Sequence, residues 1–313
     1  MKNWGNLPEK FNGVSDASLI VDKNNNNVFV AGLWMHGVIN EKGEWIENLN
    51  EESIEWNHQW RNKGSQPGFG VKETSQFLIS KSTDDGITWE PPINLTKMCK
   101  KEEWWLWAPA PGNGITLNDG TLVLPTQGRD KNGMPFSNIT YSKDNGKTWV
   151  TSNSAFSNTT ESSVVQLENG NIMLNMRYNQ NRNNLTENNG RVVCTTANLG
   201  ETWTEHKTSR NTLNEPVCMA SLIKHEYVKD GKSKSVLIFS NPNTKKGRQN
   251  ITLKFSFDDG NSWPKKYWIL LDEGFGNGYS CLASINENQI GILYEGSQAN
   301  LVFQKISIEN ILE

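Results

Sequence analysis

The chain has no concentration of positive charge. Its 31 Lys and Arg are matched by 34 Asp and Glu in 313 residues, which argues against a nucleic-acid groove, since that needs clustered cations to displace counterions. No stretch reaches the roughly 18–20 apolar residues that cross a bilayer. The opening MKNWGNLPEKFNG lacks the apolar block of a signal peptide. The four cysteines, Cys99, Cys194, Cys218 and Cys281, form no CxxC pair, so neither a metal cluster nor a disulfide scaffold is expected. The four histidines lie far apart with no HExxH, so no catalytic metal is expected. No GxGxxG and no P-loop lysine occurs, so no phosphate loop is expected, and no other feature asks for a cofactor. There is no long apolar stripe of helical period.

What is present is short and repeated. VFVAGLW, QFLISKS, TLVLPTQ, SNITYS, IMLNMR, VLIFSNP, ITLKFSF and IGILYE each lie between Asn, Asp, Gly or Pro clusters and read as strands. Four related octapeptides punctuate them: STDDGITW (82–89), SKDNGKTW (142–149), TANLGETW (196–203) and SFDDGNSW (256–263). Their starts lie 60, 54 and 60 residues apart, which suits repeated units of about four strands, the size of a propeller blade. Each octapeptide reads as turn chemistry. Asp and Ser bond the local backbone, Gly takes a positive φ, and the Trp ring is expected to bury between blades. Asp84 and Asp144 therefore read as structural, not as catalytic acids. A calcium loop is not expected either, because Leu95 stands where the bidentate Glu would be.

A second repeat points to a site. In LNDGTLVLPTQ, LENGNIMLNMR and INENQIGILYE, a turn residue precedes Gln127, Arg177 and Glu295 by seven positions. Asn27 precedes Trp34 by the same interval. Any one of these alone reads as a solvated strand end. Their shared register predicts that Gln127, Arg177, Glu295 and Trp34 sit on inner strands facing a common mouth. The tryptophans Trp104, Trp105 and Trp107 could stack on sugars but read better as core.

These octapeptides, together with ESSVVQLENGNIMLNMR, SNPNTKKGRQNITLKFSFDDG and GYSCLASINENQIGILYE, resemble the bacterial exo-sialidases, most closely the Bacteroides type. The resemblance runs from about GVSDASLIVD to IGILYE. It implies an all-β, six-bladed propeller occupying residues 1–313 as one domain. It implies cleavage of terminal sialic acid from glycoconjugates with retention, acting on sialylated glycans, glycoproteins or glycolipids, in a periplasmic or secreted setting. The chemistry agrees with the residue types. A sialic-acid carboxylate calls for the planar fork of arginine, and Arg177 and Arg248 match two of the family's three arginines. The same carboxylate repels an Asp or Glu nucleophile, and sialidases use tyrosine instead. Tyr279 matches that nucleophile and Glu161 the base that takes its proton. Glu295 matches the carboxylate that orients the first arginine, and Asp16 an aspartate near the pocket. Gly276 and Gly278 are expected to let the backbone come close ahead of Tyr279.

The sequence departs from the family at its start. The family's first arginine lies in an Arg-Ile-Pro triplet that is absent here, and the first arginine of the chain is Arg61. The acid/base aspartate precedes the Asp16 segment in the family, whereas Asp16 is the first aspartate here. The expectation is a first blade lacking its start, in a fragment or misassigned start of a full enzyme. Two other readings compete: a propeller that binds sialic acid without turnover, and a structural propeller that binds protein partners.

Overall fold

The computed structural model describes residues 12–36, 65–70, 74–298 and 300–312. Short apolar strands separated by tight turns pair with their sequence neighbours, and five sheets result. In the first, β1 (Asn12–Asp22), β2 (Asn27–His36), β3 (Gln76–Ser82) and β4 (Ile93–Asn94) follow one another antiparallel. In the second, β5 (Leu106–Pro109) is followed by two short strands. Of these, β6 (Gly112–Asn113) joins β1 in parallel and β7 (Ile115–Thr116) pairs with β8 (Leu122–Arg129). The sheet is completed by β9 (Pro135–Ser142), β10 (Val150–Thr151) and β11 (Phe156–Ser157). The third runs β12 (Thr159–Gln166), β13 (Ile172–Tyr178), β14 (Val192–Thr196), β15 (Thr204–Glu205). The fourth runs β16 (Ser221–Lys229), β17 (Lys232–Pro242), β18 (Ile251–Ser256), β19 (Trp268–Asp272). The fifth has β20 (Ser280–Asn286), β21 (Gln289–Glu295) and β22 (Leu301–Ser307). All eight segments read as strands fall on strands, with only Thr121 before β8 and Phe257 after β18 lying outside. The chain divides into two units, 1–157 with the first two sheets and 158–313 with the other three.

The all-β propeller class stands, and the count does not. The described residues give five blades where six were expected. A count based on length takes one blade per repeat, but the first sheet draws its strands from Asn12 to Asn94, a longer span than the repeat. Nor is the first sheet the short one: it has four successive strands, and the fifth sheet has three among the described residues.

The octapeptide turns are as their chemistry dictates. In the second, Gly146 N and Thr148 N donate to Ser142 Oγ and Asp144 Oδ1, each at 2.8 Å, and Thr148 Oγ1 donates to Asp144 Oδ2 at 2.6 Å. Asn145 and Gly146 take φ of 57° and 83° in succession, a pair of left-handed residues that Gly makes inexpensive. The Thr148 bonds hold the Asp144 carboxyl down at about 2, so it is an ionised acceptor and not an acid. Trp149 is buried, with Phe29 edge-on at 6.3 Å. Trp263 is buried as well, but Trp89 is 42% exposed although its Nε1 makes the same bond to the turn carbonyl. The turn is thus local, while ring burial depends on what packs there. Trp104 and Trp107 are core: Trp107 stacks on Phe77 at 4.3 Å and Trp104 packs on Phe136. Trp105 is half-buried.

One buried cation makes stability depend on pH. Lys254, on β18, is fully buried. Its Nζ donates to Asn241 Oδ1 at 2.9 Å and lies 4.9 Å from the centre of the Trp268 ring. Burial, then the charge of Arg191, pull the ammonium down to about 7. The folded pKa lies below the unfolded one, so between about 7 and the ordinary lysine value only the unfolded chain binds the proton. Stability therefore rises with pH across that window. Urea midpoints at pH 7 and 9 should differ less in Lys254→Met than in the parent chain.

Candidate active site

Five of the singled-out residues belong to unit 158–313, and four strands and a loop bring them together. Glu161 is on β12, Arg177 at the end of β13, Arg248 in the loop between β17 and β18, Tyr279 directly before β20, and Glu295 at the end of β21. The Tyr279 hydroxyl donates to Glu161 Oε1 in a short hydrogen bond, and Arg177 Nη1 donates to Glu161 Oε2 in a short ion pair. The same Nη1 lies 3.5 Å from the Tyr279 oxygen. One carboxylate thus accepts the phenol hydrogen bond on one oxygen and a guanidinium on the other.

Arg248 is fixed by carbonyls. Its Nη1 donates to Asn277 O at 2.8 Å and its Nη2 to Val217 O at 3.3 Å, and its guanidinium stands 5.6 Å from the centre of the Tyr279 ring. Glu295 holds the backbone of Tyr279, whose N–H donates to Glu295 Oε2 at 2.9 Å, while Glu295 N donates to Tyr279 O at 3.0 Å. The glycines before Tyr279 are there for room. Gly278 has φ of 85°, and a Cβ on it would lie 2.8 Å from Pro242 Cγ and 3.1 Å from Cys218 Sγ. A Cβ on Gly276 would meet Glu295 O at 2.9 Å.

The electrostatics follow from this packing. Burial, then the negative charge and hydrogen bond of Glu161, push the Tyr279 phenol well above its ordinary value, and Arg177 offsets this in part. At rest Tyr279 is therefore a neutral phenol aimed at the Glu161 carboxylate. Burial alone would lower the Arg177 guanidinium, but the Glu161 carboxylate more than compensates, so Arg177 stays charged.

Gln127 and Asp16 belong to the other unit and meet each other there. Gln127 Nε2 lies 3.5 Å from Asp16 Oδ1 and 3.3 Å from Pro109 O. Asp16 sits at a break in the β1–β2 register with φ of 53°. Trp34 is buried. Gln127 and Arg177 do share a register, each five residues past the strand residue that pairs with the start of the following octapeptide (Leu122 with Ser142, Ile172 with Thr196), whereas Trp34 lies six past Val28, the partner of Ser82; and β8, β13, β21 and β2 are each flanked by two strands. They are interior strands of their sheets and not the edge strands that the expectation of inner strands requires. The reason is that a turn-to-strand interval fixes depth along a strand and says nothing of its rank in the sheet. Arg61 lies outside the described residues.

Arg191 and Glu215 are not among the residues that the sequence singles out. Both are fully buried and paired, with Arg191 Nη1 donating to Glu215 Oε2 at 3.0 Å. The available signal was an arginine opening the apolar run RVVCTT, since an unpaired charge cannot sit there.

Residues 7–266 match the family model described as a BNR repeat-like domain. The chain belongs to that family. It is 44% identical to a sialidase of Bacteroides fragilis over 310 residues, covering 99% of this chain and 52% of that protein. A Clostridium perfringens sialidase is 27% identical, with 98% of this chain and 75% of that protein covered. Among solved structures, a Hadza microbial sialidase superposes with a TM-score of 0.84 at 44% identity, covering 97% of this chain and 54% of that one. Trypanosoma rangeli sialidase, at 21% identity, TM-score 0.70 and coverage of 94% and 45%, shares the fold. The chain spans about half the length of the Bacteroides fragilis and Hadza proteins.

Proposed function

We propose that this chain carries the catalytic site of a retaining exo-α-sialidase acting on terminal sialic acid of glycoconjugates. The observation that carries the reading is the Arg177–Glu161–Tyr279 constellation, with Arg248 beside the phenol ring. Similarity to sialidases supports it. In this reading Arg177 and Arg248 bind the substrate carboxylate. The Tyr279 oxygen attacks the anomeric carbon as its proton passes to Glu161, and the bond to the aglycone breaks with its electron pair going to the leaving oxygen. Water then attacks the same carbon of the tyrosyl adduct and loses one proton to the solvent, which balances the charge of the departed leaving oxygen. The bond to Tyr279 breaks, and Glu161 returns the proton to the phenolate. Two displacements restore the original anomer.

Incubating the chain with an aryl sialoside tests this, because an aryl leaving group departs without a proton donor. Phenol release is expected. Sugar binding with no release would favour a binding propeller, and no binding at millimolar sialoside would favour a structural one. Arg248→Ala should raise KM by about 10–100-fold, the equivalent of one charged hydrogen-bonding partner. An unchanged KM would remove Arg248 from the substrate site.

A further inference from the structure

Arg191 and Glu215 form an ion pair whose two side chains are both fully buried. Arg191 spends its guanidinium on strand and loop atoms beneath the site. Its Nε donates to Asn175 Oδ1 at 2.7 Å and its Nη2 to Asn175 O at 3.1 Å. Its Nη1 donates to Cys218 O at 2.7 Å and to Glu215 Oε2 at 3.0 Å, and its Nη2 reaches Glu161 O at 3.5 Å. Glu215 answers from the other side. Its Oε1 accepts from Tyr178 N at 2.6 Å and from Asn181 Nδ2 at 2.9 Å. Its own N–H and C=O are pinned by the Asn189 side chain at 2.9 and 3.0 Å.

These partners are not a random sample of the interior. Glu161 O belongs to the base itself. Tyr178 follows Arg177. Cys218 follows Val217, whose carbonyl accepts from Arg248, and the Cys218 thiol lies 3.8 Å from the Asn277 carbonyl that accepts from the same guanidinium. One ion pair therefore ties the backbone of β12, the end of β13 and the 214–218 loop at the points where each presents a site residue.

We propose that the buried Arg191–Glu215 pair is a positioning element of the active site, which fixes Glu161, Arg177 and the carbonyl seat of Arg248 in register with Tyr279. The inference rests on the functional reading above. A buried ion pair is often matched or bettered in stability by uncharged residues, so stability alone gives weak reason to place one here. Register between three backbone segments does give a reason, because a displacement of about 1 Å at a reacting group costs about 10²-fold in rate.

The test separates position from stability. Arg191→Met with Glu215→Gln removes both charges together and leaves no lone buried ion. Arg191→Lys keeps a cation opposite Glu215 but lacks the fork needed for the other acceptors. With an aryl sialoside, each is expected to lower kcat about 10²-fold, with KM changed far less. A readout independent of turnover is the ¹³Cζ resonance of labelled tyrosine, with Tyr279 assigned by its loss in Tyr279→Phe. Its titration midpoint should lie far above that of ordinary tyrosine in the parent chain and fall in both variants, as Glu161 leaves the phenol. A folded variant with parental kcat and Tyr279 titration overturns the proposal, and so does failure of both variants to fold, which would assign the pair to stability. If the parent chain turns nothing over, the functional reading fails, and the Tyr279 titration still decides whether the pair positions Glu161.

Discussion

Tyr279→Phe is expected to lower turnover of an aryl sialoside by on the order of 10³-fold or more, because it removes the atom proposed to form the covalent link. Folding should survive. The ring is half-buried, and the groups that place it act on its backbone: Glu295 Oε2 on its N–H and the close-packed Gly276 and Gly278 before it. The lost hydroxyl leaves Glu161 with Arg177 as a partner, so no buried carboxylate is stranded. Substrate binding should persist, since neither arginine depends on the phenol oxygen for its position: Arg248 is seated on Asn277 and Val217 carbonyls. A rate that falls while sialoside affinity holds is the signature of a group needed only for the chemical step. The measurement is steady-state kinetics alongside equilibrium binding of the sugar.

The second large effect is expected at Glu161, the proposed base. Glu161→Gln preserves shape and removes the acceptor for the phenol proton, so kcat should drop by about 10²–10⁴-fold. The substitution also removes a negative charge that raises the Tyr279 phenol, second only to burial as a cause. The Tyr279 titration should therefore move down toward the ordinary tyrosine value, and phenolate should become easier to form. If easier ionisation were all that mattered, the variant would gain rate at alkaline pH. Parental kcat is not expected to return there. With an amide in place of the carboxylate, Arg177 loses its anionic partner, and its guanidinium is released to the substrate carboxylate. KM should therefore fall or hold while kcat collapses, and a rise in KM with kcat unchanged would contradict the assignment of Glu161 as base.

Much of the architecture is legible in the order of the amino acids, and the reasons are local. Asp144 with Ser142, Gly146 and Thr148 makes its turn from atoms within seven residues of one another. The strands between such turns need only apolar runs of the right length. Blade number is not local: the first sheet takes its strands from Asn12 to Asn94, a longer span than the repeat, which no repeat unit reveals. The burial of Trp149 and the exposure of Trp89 differ for the same reason, since identical turns meet different neighbours.

The site divides in the same way. Glu161, Arg177, Arg248, Tyr279 and Glu295 were nameable because a resemblance marked their contexts, and the fold brings them together. Composition alone would have left Tyr279 a core tyrosine and Arg248 a loop charge beside Lys245 and Lys246. Arg191 and Glu215 stayed hidden because four of the groups they bond are backbone amides and carbonyls, which every residue has and no pattern distinguishes.

The central claim is that the Tyr279 oxygen becomes bonded to the sugar. A fluorinated sialosyl donor, whose electron-withdrawing substituent slows breakdown of the adduct, allows that bond to be weighed. Intact-mass analysis after incubation should show the chain heavier by one fluorosialosyl group. Peptide mapping should place the group on Tyr279, and Tyr279→Phe should stay unlabelled. Turnover of the aryl sialoside with no adduct, or an adduct on any other residue, would contradict the account.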